Sequence, residues 1–378
     1  MNELSKIHAL GKSINHDSSL RQTTGEAKYI DDIATPNDTL HLALVLSAQA
    51  CGKINKIVVE KALCLKGVYY VLTYKDIPGE NKIGPIIHDE PALAERRVEY
   101  IGQPVAVVIA KNHNVAQKAA KLVEISIEKD EEPIFNLSDS LSKNSLVMPK
   151  MKLLKGSPEE KIKKSKYSLK GEINIGGQDH FYLEGHIALA IPEEEDQMTI
   201  WSSTQHPTEV QHCVASVLGV SQSKITSKVR RLGGGFGGKE SQASIIASIT
   251  ALCSWYSKKP AKLRLTRKDD MLATGKRHDF KSIYQVGFNS KGKIEGLKVD
   301  LLSRAGNVAD LSGPVMTRAM THIDNCYSLK NIVVNGFCCK TNTVSNTAFR
   351  GFGGPQGILT IETVSYTHLR AHETRGNL

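Results

Sequence analysis

Three apolar runs of seven residues stand in the first third of the chain: Leu40–Leu46 (LHLALVL), 67–73 (GVYYVLT) and Pro104–Ala110 (PVAVVIA). Runs of this length, rich in β-branched and aromatic residues, predict buried strands. Residues 115–122 place their apolar positions at helical spacing, and 123–128 alternate as a half-buried strand does. Several strands with one clear helix predict an α+β unit over 11–130. A second pattern starts near Tyr167. Strands are expected at 168–175, 187–191, Met198–Ser202, 224–229, 261–265 and 294–302. A helix over 208–218 follows Pro207 and ends at Gly219, the usual residue for a left-handed C-cap. A second helix over 241–256 carries Ile245, Ile246, Ile249, Leu252 and Cys253 at helical spacing, with Ser241 as its N-cap. This predicts another α+β unit, over 166–363. Between the two units, 131–165 are rich in Ser, Lys, Asn, Pro and Glu without periodicity and read as a linker.

Composition narrows the picture. With 378 residues, 40% of them hydrophobic and 23% charged, the chain can bury a core without cross-links. No apolar run approaches the about 20 residues that span a bilayer, and the first residues lack the apolar core of a secretory signal. The seven cysteines form no C-x-x-C pair, and Cys338 and Cys339 are adjacent. That pattern suits reduced thiols in the cytoplasm better than a zinc site or a disulfide framework. The net charge of +10 raises the question of nucleic acid. Much of the excess is gathered in 150–170, a Lys-rich stretch with little aromatic interleaving. It reads as a solvated connector or an edge facing an acidic partner; neither nucleic acid nor membrane is expected.

Two loops carry candidate chemistry. The first, GGGFGGKE over 233–240, lies between an expected strand and the 241–256 helix. Five glycines in six positions allow close backbone approach and positive φ, and a helix N-terminus adds free N–H groups for an anionic or electron-rich ligand. The spelling from Gly233 to Lys239 also fits G-x-x-x-x-G-K. However, Glu240 stands where a phosphate-binding loop needs Ser or Thr. A plain glycine turn packed between strand and helix is the bland alternative, against which Phe236 needs somewhere to project. The second loop, AFRGFGGPQG over 348–357, sets Arg350 between Phe349 and Phe352. Two such rings can flank a planar ligand, and together the loops read as clasping one flat ligand from two sides.

These loops resemble those of the molybdenum hydroxylases of the xanthine dehydrogenase and aldehyde oxidase type. Supporting segments are TGEAKYIDD at 24–32, GGQDHFYLE at 176–184, STQ at 203–205 and TRAMTHIDNCY at 317–327. In order, the resemblance covers residues 8–363. It implies a small N-terminal α/β-hammerhead-like domain followed by the first part of a molybdopterin-binding α+β domain. It also implies roles: Gln205 hydrogen-bonds an oxygen ligand of molybdenum, Phe236 and Gly237 lie over the metal by their backbone, and Arg350 contacts the metal centre. Phe352 packs on the bound heterocycle, while Glu240 and Arg318 orient a purine. Aldehyde-oxidising relatives carry apolar or uncharged residues at the last two places. His180 and Glu184 are expected in a buried hydrogen-bonded network and not as metal ligands.

The activity so implied is hydroxylation of hypoxanthine and xanthine towards urate, by attack of a molybdenum-bound hydroxide and hydride transfer to a sulfide on the metal. An aldehyde or another N-heterocycle is the alternative within the family; a folded fragment without cofactor is the alternative outside catalysis. The family's glutamate base has no counterpart here and is expected downstream, so no catalytic base is assigned. An iron–sulfur subunit and a FAD subunit are the implied partners. Residues 364–378 depart from the family and read as a foreign tail on a truncated chain, with His368 and His372 not taken as metal ligands.

Overall fold

The computed structural model describes residues 11–370, with side chains to 367; the first ten residues, the side chain of His368 and all of His372 lie outside the described part. Two sheets organise it. The first has seven strands in the spatial order Ile225–Lys228, Met198–Ser202, Ile187–Pro192, Ala261–Arg264, Leu40–Leu46, Pro104–Ala110 and Val68–Thr73. The strand Pro104–Ala110 is buried at all seven positions. The two-residue alternation of a strand explains why. Ala106 and Val108 face the helix His113–Ala120, packing with Ala119 and Val45. Val107 and Ile109 face the other way, into a core with Val210, Val214, Ile246 and Leu252.

The N-terminal unit and the second unit are not separate sheets. Leu40–Leu46 pairs in parallel with Ala261–Arg264, in the register Leu40 to Ala261 and Leu42 to Leu263. Two small sheets, one of Gly52–Val58, Arg97–Val98 and Glu124–Glu128 and one of Lys82–Ile83 and Glu90–Pro91, complete the N-terminal part.

The second large sheet runs Tyr167–Ile175, Phe280–Phe288, Ile294–Gly306, Ile332–Lys340 and Met151–Lys155. Its core joins Phe280, Leu297, Val299 and Val334 to Val315 and Met316 of the helix Ser312–Thr321 and to Ile361 of the helix Gly354–Arg370. Residues 131–165, expected as a linker, are built into this sheet. Met151–Lys155 pairs antiparallel with Ile332–Lys340, and the helices Leu137–Ser142 and Pro158–Lys164 bury Leu137 and Ile162. These elements are five to seven residues long, too short for periodicity to register, and the edge strand keeps its lysines in water, as a protected edge does. Beyond residue 363 the last helix continues to Arg370, with Val364 and Ser365 buried.

The helix Gln242–Ser257 is buried on nearly every side, from Gln242 to Ser254. Its small residues, Ala243, Ser244, Ala247, Ser248 and Ala251, let it lie close under the first sheet. Through this helix the core fixes where the 233–240 loop emerges.

Candidate functional site

The two glycine–phenylalanine loops meet. The backbone N–H of Arg350 donates to the carbonyl of Phe236 at 2.9 Å. A Cβ on Gly237 would stand 2.7 Å from both the carbonyl carbon and oxygen of Ala348, so the chains touch where no side chain fits. Phe236 and Phe352 both hold left-handed backbone, at φ 52° and φ 50°. That conformation is costly for aromatic residues and is held by its surroundings. The loops therefore form one continuous ledge and not two jaws standing apart.

Most of the glycines face protein. A Cβ on Gly233 would collide with Glu184 Cβ at 2.4 Å, on Gly235 with Gln205 Oε1 at 2.5 Å, and on Gly238 with the His180 ring at 2.7 Å. Their small size serves packing between loop and scaffold, as the bland alternative held. What the ledge leaves open is the Phe236 ring, 49% exposed, with exposed Gln205 and Arg350 beside it.

Gln205 is seated by the loop. Its Oε1 accepts from Gly237 N–H at 2.8 Å and from Lys239 N–H at 3.4 Å, and its own N–H donates to Lys239 O at 2.8 Å. Two backbone donors on the oxygen turn the side-chain NH2 away from the loop, leaving it as a donor. Behind the loop lies the network expected around His180 and Glu184. Burial pushes the His180 imidazole down to about 4. Neutral at ordinary pH, it donates from Nε2 to Ala348 O at 2.7 Å, and it lies against Gly238 on one side and Phe349 on the other. Glu184 Oε2 accepts from Gly233 N–H at 2.8 Å and Ser203 Oγ at 2.6 Å. Lys239 is fully buried and turned inward, its Nζ 2.7 Å from Ser203 Oγ. Burial pushes it down to about 8. A phosphate-loop lysine would point the other way.

Two expectations change. Phe349 does not flank an open site, because the Arg277 guanidinium sits 3.9 Å over its ring and His180 packs beside it. The N-terminus of the helix Gln242–Ser257 is not free for a ligand. Buried Asp310 accepts there from Gln242 Nε2 at 3.4 Å, and Ser241 and Gln242 are themselves buried. Ser241 is the N-cap by position but makes no capping bond, its hydroxyl lying 3.0 Å from that of Thr347.

The expected substrate pair sits at the margins of the ledge. Glu240 ends the first loop, half-buried, its N–H donating to Gly237 O at 3.1 Å. Arg318 is exposed on Ser312–Thr321, the helix against which Gly353 of the second loop packs. Among the described residues neither side chain is in an ion pair, and the two are not bonded to each other. Phe352 is partly buried against the second core. Sequence reading missed Arg277, which donates to Arg350 O at 2.8 Å and to Gln178 Oε1 at 2.9 Å and so anchors the second loop; nothing in its local sequence signals this. A cavity of about 780 Å3 borders Glu184, Gly233 and Gly234 and runs to Tyr29, Arg264 and Arg267; none of the expected cofactor or substrate residues lines it.

Among the described residues no three His, Cys, Asp or Glu side chains converge as a metal site requires. What the ledge itself offers is an exposed amide, a guanidinium and a bare backbone edge, which fit as donors around a metal group that brings its own ligands.

Comparison with known proteins bears on which group that is. The family model described as molybdopterin cofactor-binding domain matches residues 139–367. The model for the aldehyde oxidase and xanthine dehydrogenase a/b hammerhead domain matches 24–131. Xanthine dehydrogenase/oxidase of Gallus gallus is 42% identical over 354 residues, 93% of this chain and 26% of that protein. Nicotinate hydroxylase of Emericella nidulans is 42% identical over 361 residues, 94% of this chain and 27% of that protein. Among solved structures, aldehyde oxidoreductase from Desulfovibrio desulfuricans superposes with a TM-score of 0.87 at 24% identity, over 95% of this chain and 42% of that one; at that identity it speaks for the fold. The chain thus spans about a quarter of the length of the curated relatives it matches.

Proposed function

The chain belongs to the aldehyde oxidase and xanthine dehydrogenase family of molybdopterin-binding oxidoreductases, and from that premise we propose that it forms part of a purine hydroxylase acting on hypoxanthine or xanthine. The observation that supports the cofactor part of this reading is the joined ledge, where Arg350 N–H meets Phe236 O at 2.9 Å and Gly237 N–H seats Gln205 at 2.8 Å; the purine part rests on Glu240 and Arg318 at its margins. When bound, the molybdenum cofactor supplies the oxygen-transfer and two-electron chemistry. The chain's own residues bind and orient. Gln205 offers N–H donors, Arg350 offers positive charge, and Phe236 and Gly237 offer backbone along the cofactor. Phe352 packs on the substrate ring. Glu240 accepts from a ring N–H, and Arg318 stabilises negative charge building on a carbonyl oxygen. No residue of this chain is given the role of base.

The same reading extends to organisation. Residues 11–130 form the hammerhead unit, and the first part of the cofactor domain runs on to 363 from the elements between 137 and 164, which are built into its sheet and are not a free linker. Iron–sulfur and FAD subunits are the proposed partners. No helix among the described residues is long and apolar enough to cross a membrane. All seven cysteines are free, and five are buried; a cytoplasmic setting suits them.

A second reading has support of its own, since nicotinate hydroxylase is as similar as the chicken enzyme. Arg318 would pair with a pyridine carboxylate, whereas Glu240 would repel it. Assay of the assembled molybdenum enzyme containing this chain, against xanthine, hypoxanthine, nicotinate and benzaldehyde, separates the readings. The purine proposal expects both purines to exceed the other two in kcat/KM by about tenfold or more, the scale of one lost polar contact. The reverse order removes it.

A further inference from the structure

Lys239 is the largest side chain in the described structure that is wholly shielded from water. A buried ammonium needs partners, and its partners are arranged in a ring. Nζ donates to Ser203 Oγ at 2.7 Å and to the backbone carbonyl of Glu184, and stands 3.5 Å from Glu184 Oε2 and 4.5 Å over the Tyr182 ring. Ser203 in turn donates to Glu184 Oε2 at 2.6 Å. That same oxygen accepts from Gly233 N–H at 2.8 Å, and Glu184 N–H donates to Gly233 O at 3.1 Å. Gly233 is the first residue of the loop and Lys239 nearly the last. The side chain at the loop's end is thus tied, through one carboxylate, to the backbone at its start.

The backbone of Lys239 faces the other way. Its carbonyl accepts from Gln205 N–H at 2.8 Å and its N–H reaches Gln205 Oε1 at 3.4 Å, next to the 2.8 Å bond from Gly237. One residue therefore links the closure of the loop to the seat of Gln205. We propose that Lys239 is a positioning residue, its buried ammonium closing the 233–239 loop from behind against Glu184 and Ser203 and so fixing the direction in which Gln205 presents its amide. The functional meaning of Gln205 rests on the cofactor reading above; the loop closure does not, and it is tested without cofactor.

The test uses the 378-residue chain labelled with 15N-glycine, reading hydrogen exchange at Gly233 and Gly237. The Gly233 amide reports its bond to Glu184, and the Gly237 amide its bond to Gln205. Backbone amides inside the helix Gln242–Ser257 are followed by mass spectrometry as the reference for global opening. Lys239→Met is expected to speed exchange at both glycines by tenfold or more relative to that helix. A merely space-filling lysine would move all three together or none, and either result overturns the proposal. Adding Glu184→Gln to Lys239→Met is expected to restore most of the protection at Gly233, because a neutral amide needs no buried counter-charge. A double variant no better protected than Lys239→Met refutes the ion-pair closure. Should Lys239→Met fail to fold, Ser203→Ala, which removes one bond from each partner, is expected to speed both glycines by a smaller factor. Unchanged exchange in Ser203→Ala likewise overturns it.

Discussion

The N–H of Arg350 bonds the carbonyl of Phe236 at 2.9 Å, although the two residues are separated by 114 positions in sequence. This bond joins the loops that carry most of the candidate chemistry. It needs Gly237, at φ 102°, next in the chain, because Ala348 leaves no room for a side chain there. Gly237→Ala is therefore expected to destabilise the chain by about 1–3 kcal/mol, the scale of a strained backbone position. Urea unfolding measures this directly. An unchanged midpoint with unchanged slope would show that the loops are joined by something else. In the assembled enzyme the same substitution is expected to lower the molybdenum content.

Gln205 separates two roles by chemistry. Its oxygen holds Gly237 N–H, and its NH2 points away from the loop. Gln205→Glu keeps the acceptor and removes the donor; Gln205→Ala removes both. We expect the Glu variant to remain within about 1 kcal/mol of the parent in stability, since the position is exposed. In the assembled enzyme its turnover is expected to fall by about 10²-fold or more, as when one oriented donor is lost. The Ala variant is expected to lose about 1 kcal/mol as well, the usual value of a hydrogen bond. Equal turnover in Gln205→Glu and the parent would remove Gln205 from the site.

Stability is expected to fall between about pH 6.5 and 8 because of Glu90. Burial first, and then Asp310 and Asp89 nearby, push this fully buried carboxyl up to about 8 from an ordinary 4.5. Over that interval the folded chain keeps a proton that the unfolded chain has released, so stability decreases as pH rises. Asp310 is raised by burial too, to about 6, but below pH 6.5 its effect is opposed. His180 and His278, pushed by burial down to about 4 and 3, make the folded chain bind fewer protons than the unfolded one there. Lys239, lowered to about 8, acts only above that value, and in the stabilising direction. The clear window thus belongs to Glu90 and amounts to about 2 kcal/mol, at about 1.4 kcal/mol per pH unit. Denaturant unfolding at pH 6.5 and pH 8 is the measurement. Glu90→Gln, which keeps an acceptor for the Ser345 hydroxyl, is expected to flatten the profile; an equal slope in the variant would assign it elsewhere.

Much of this architecture was legible in the chain. Strands such as Leu40–Leu46 and Pro104–Ala110 announce themselves because burial on both faces demands unbroken apolar residues. The helix ending at Gly219 is marked by Pro207 and by that glycine in left-handed backbone, φ 66°. Phe280–Phe288 escaped notice because Lys281, Ile283 and Gln285 alternate with buried Phe280, Ser282 and Tyr284, so a polar residue lies on its inner face. The motifs at 233–240 and 348–357 pointed to the candidate site, but sequence misjudged what their glycines do. It read glycine as room for a ligand, and the structure uses most of that room for Glu184, Gln205 and His180. The supports of the site, Arg277 and the inward-turned Lys239, are set by tertiary contact, and no local pattern marks such contacts.

The last prediction concerns substrate. Glu240 and Arg318 enter no ion pair among the described residues. The Arg318 backbone carbonyl accepts from His322 Nδ1 at 2.9 Å, while its side chain is exposed. Neither charge is therefore needed for packing, and alanine at either position is expected to change stability by no more than about 0.5 kcal/mol. A purine presents ring N–H donors and carbonyl oxygens; an aldehyde offers only the carbonyl. If Arg318 stabilises charge building on a purine oxygen, Arg318→Ala lowers kcat for xanthine by about 10²-fold or more in the assembled enzyme. Glu240→Ala, losing a contact to the ring, falls chiefly on KM. Benzaldehyde turnover, where it occurs, is expected to change much less in both variants. Kinetics on xanthine that both substitutions leave intact would remove the purine assignment while sparing the cofactor proposal, because that proposal rests on Gln205, Phe236, Gly237 and Arg350.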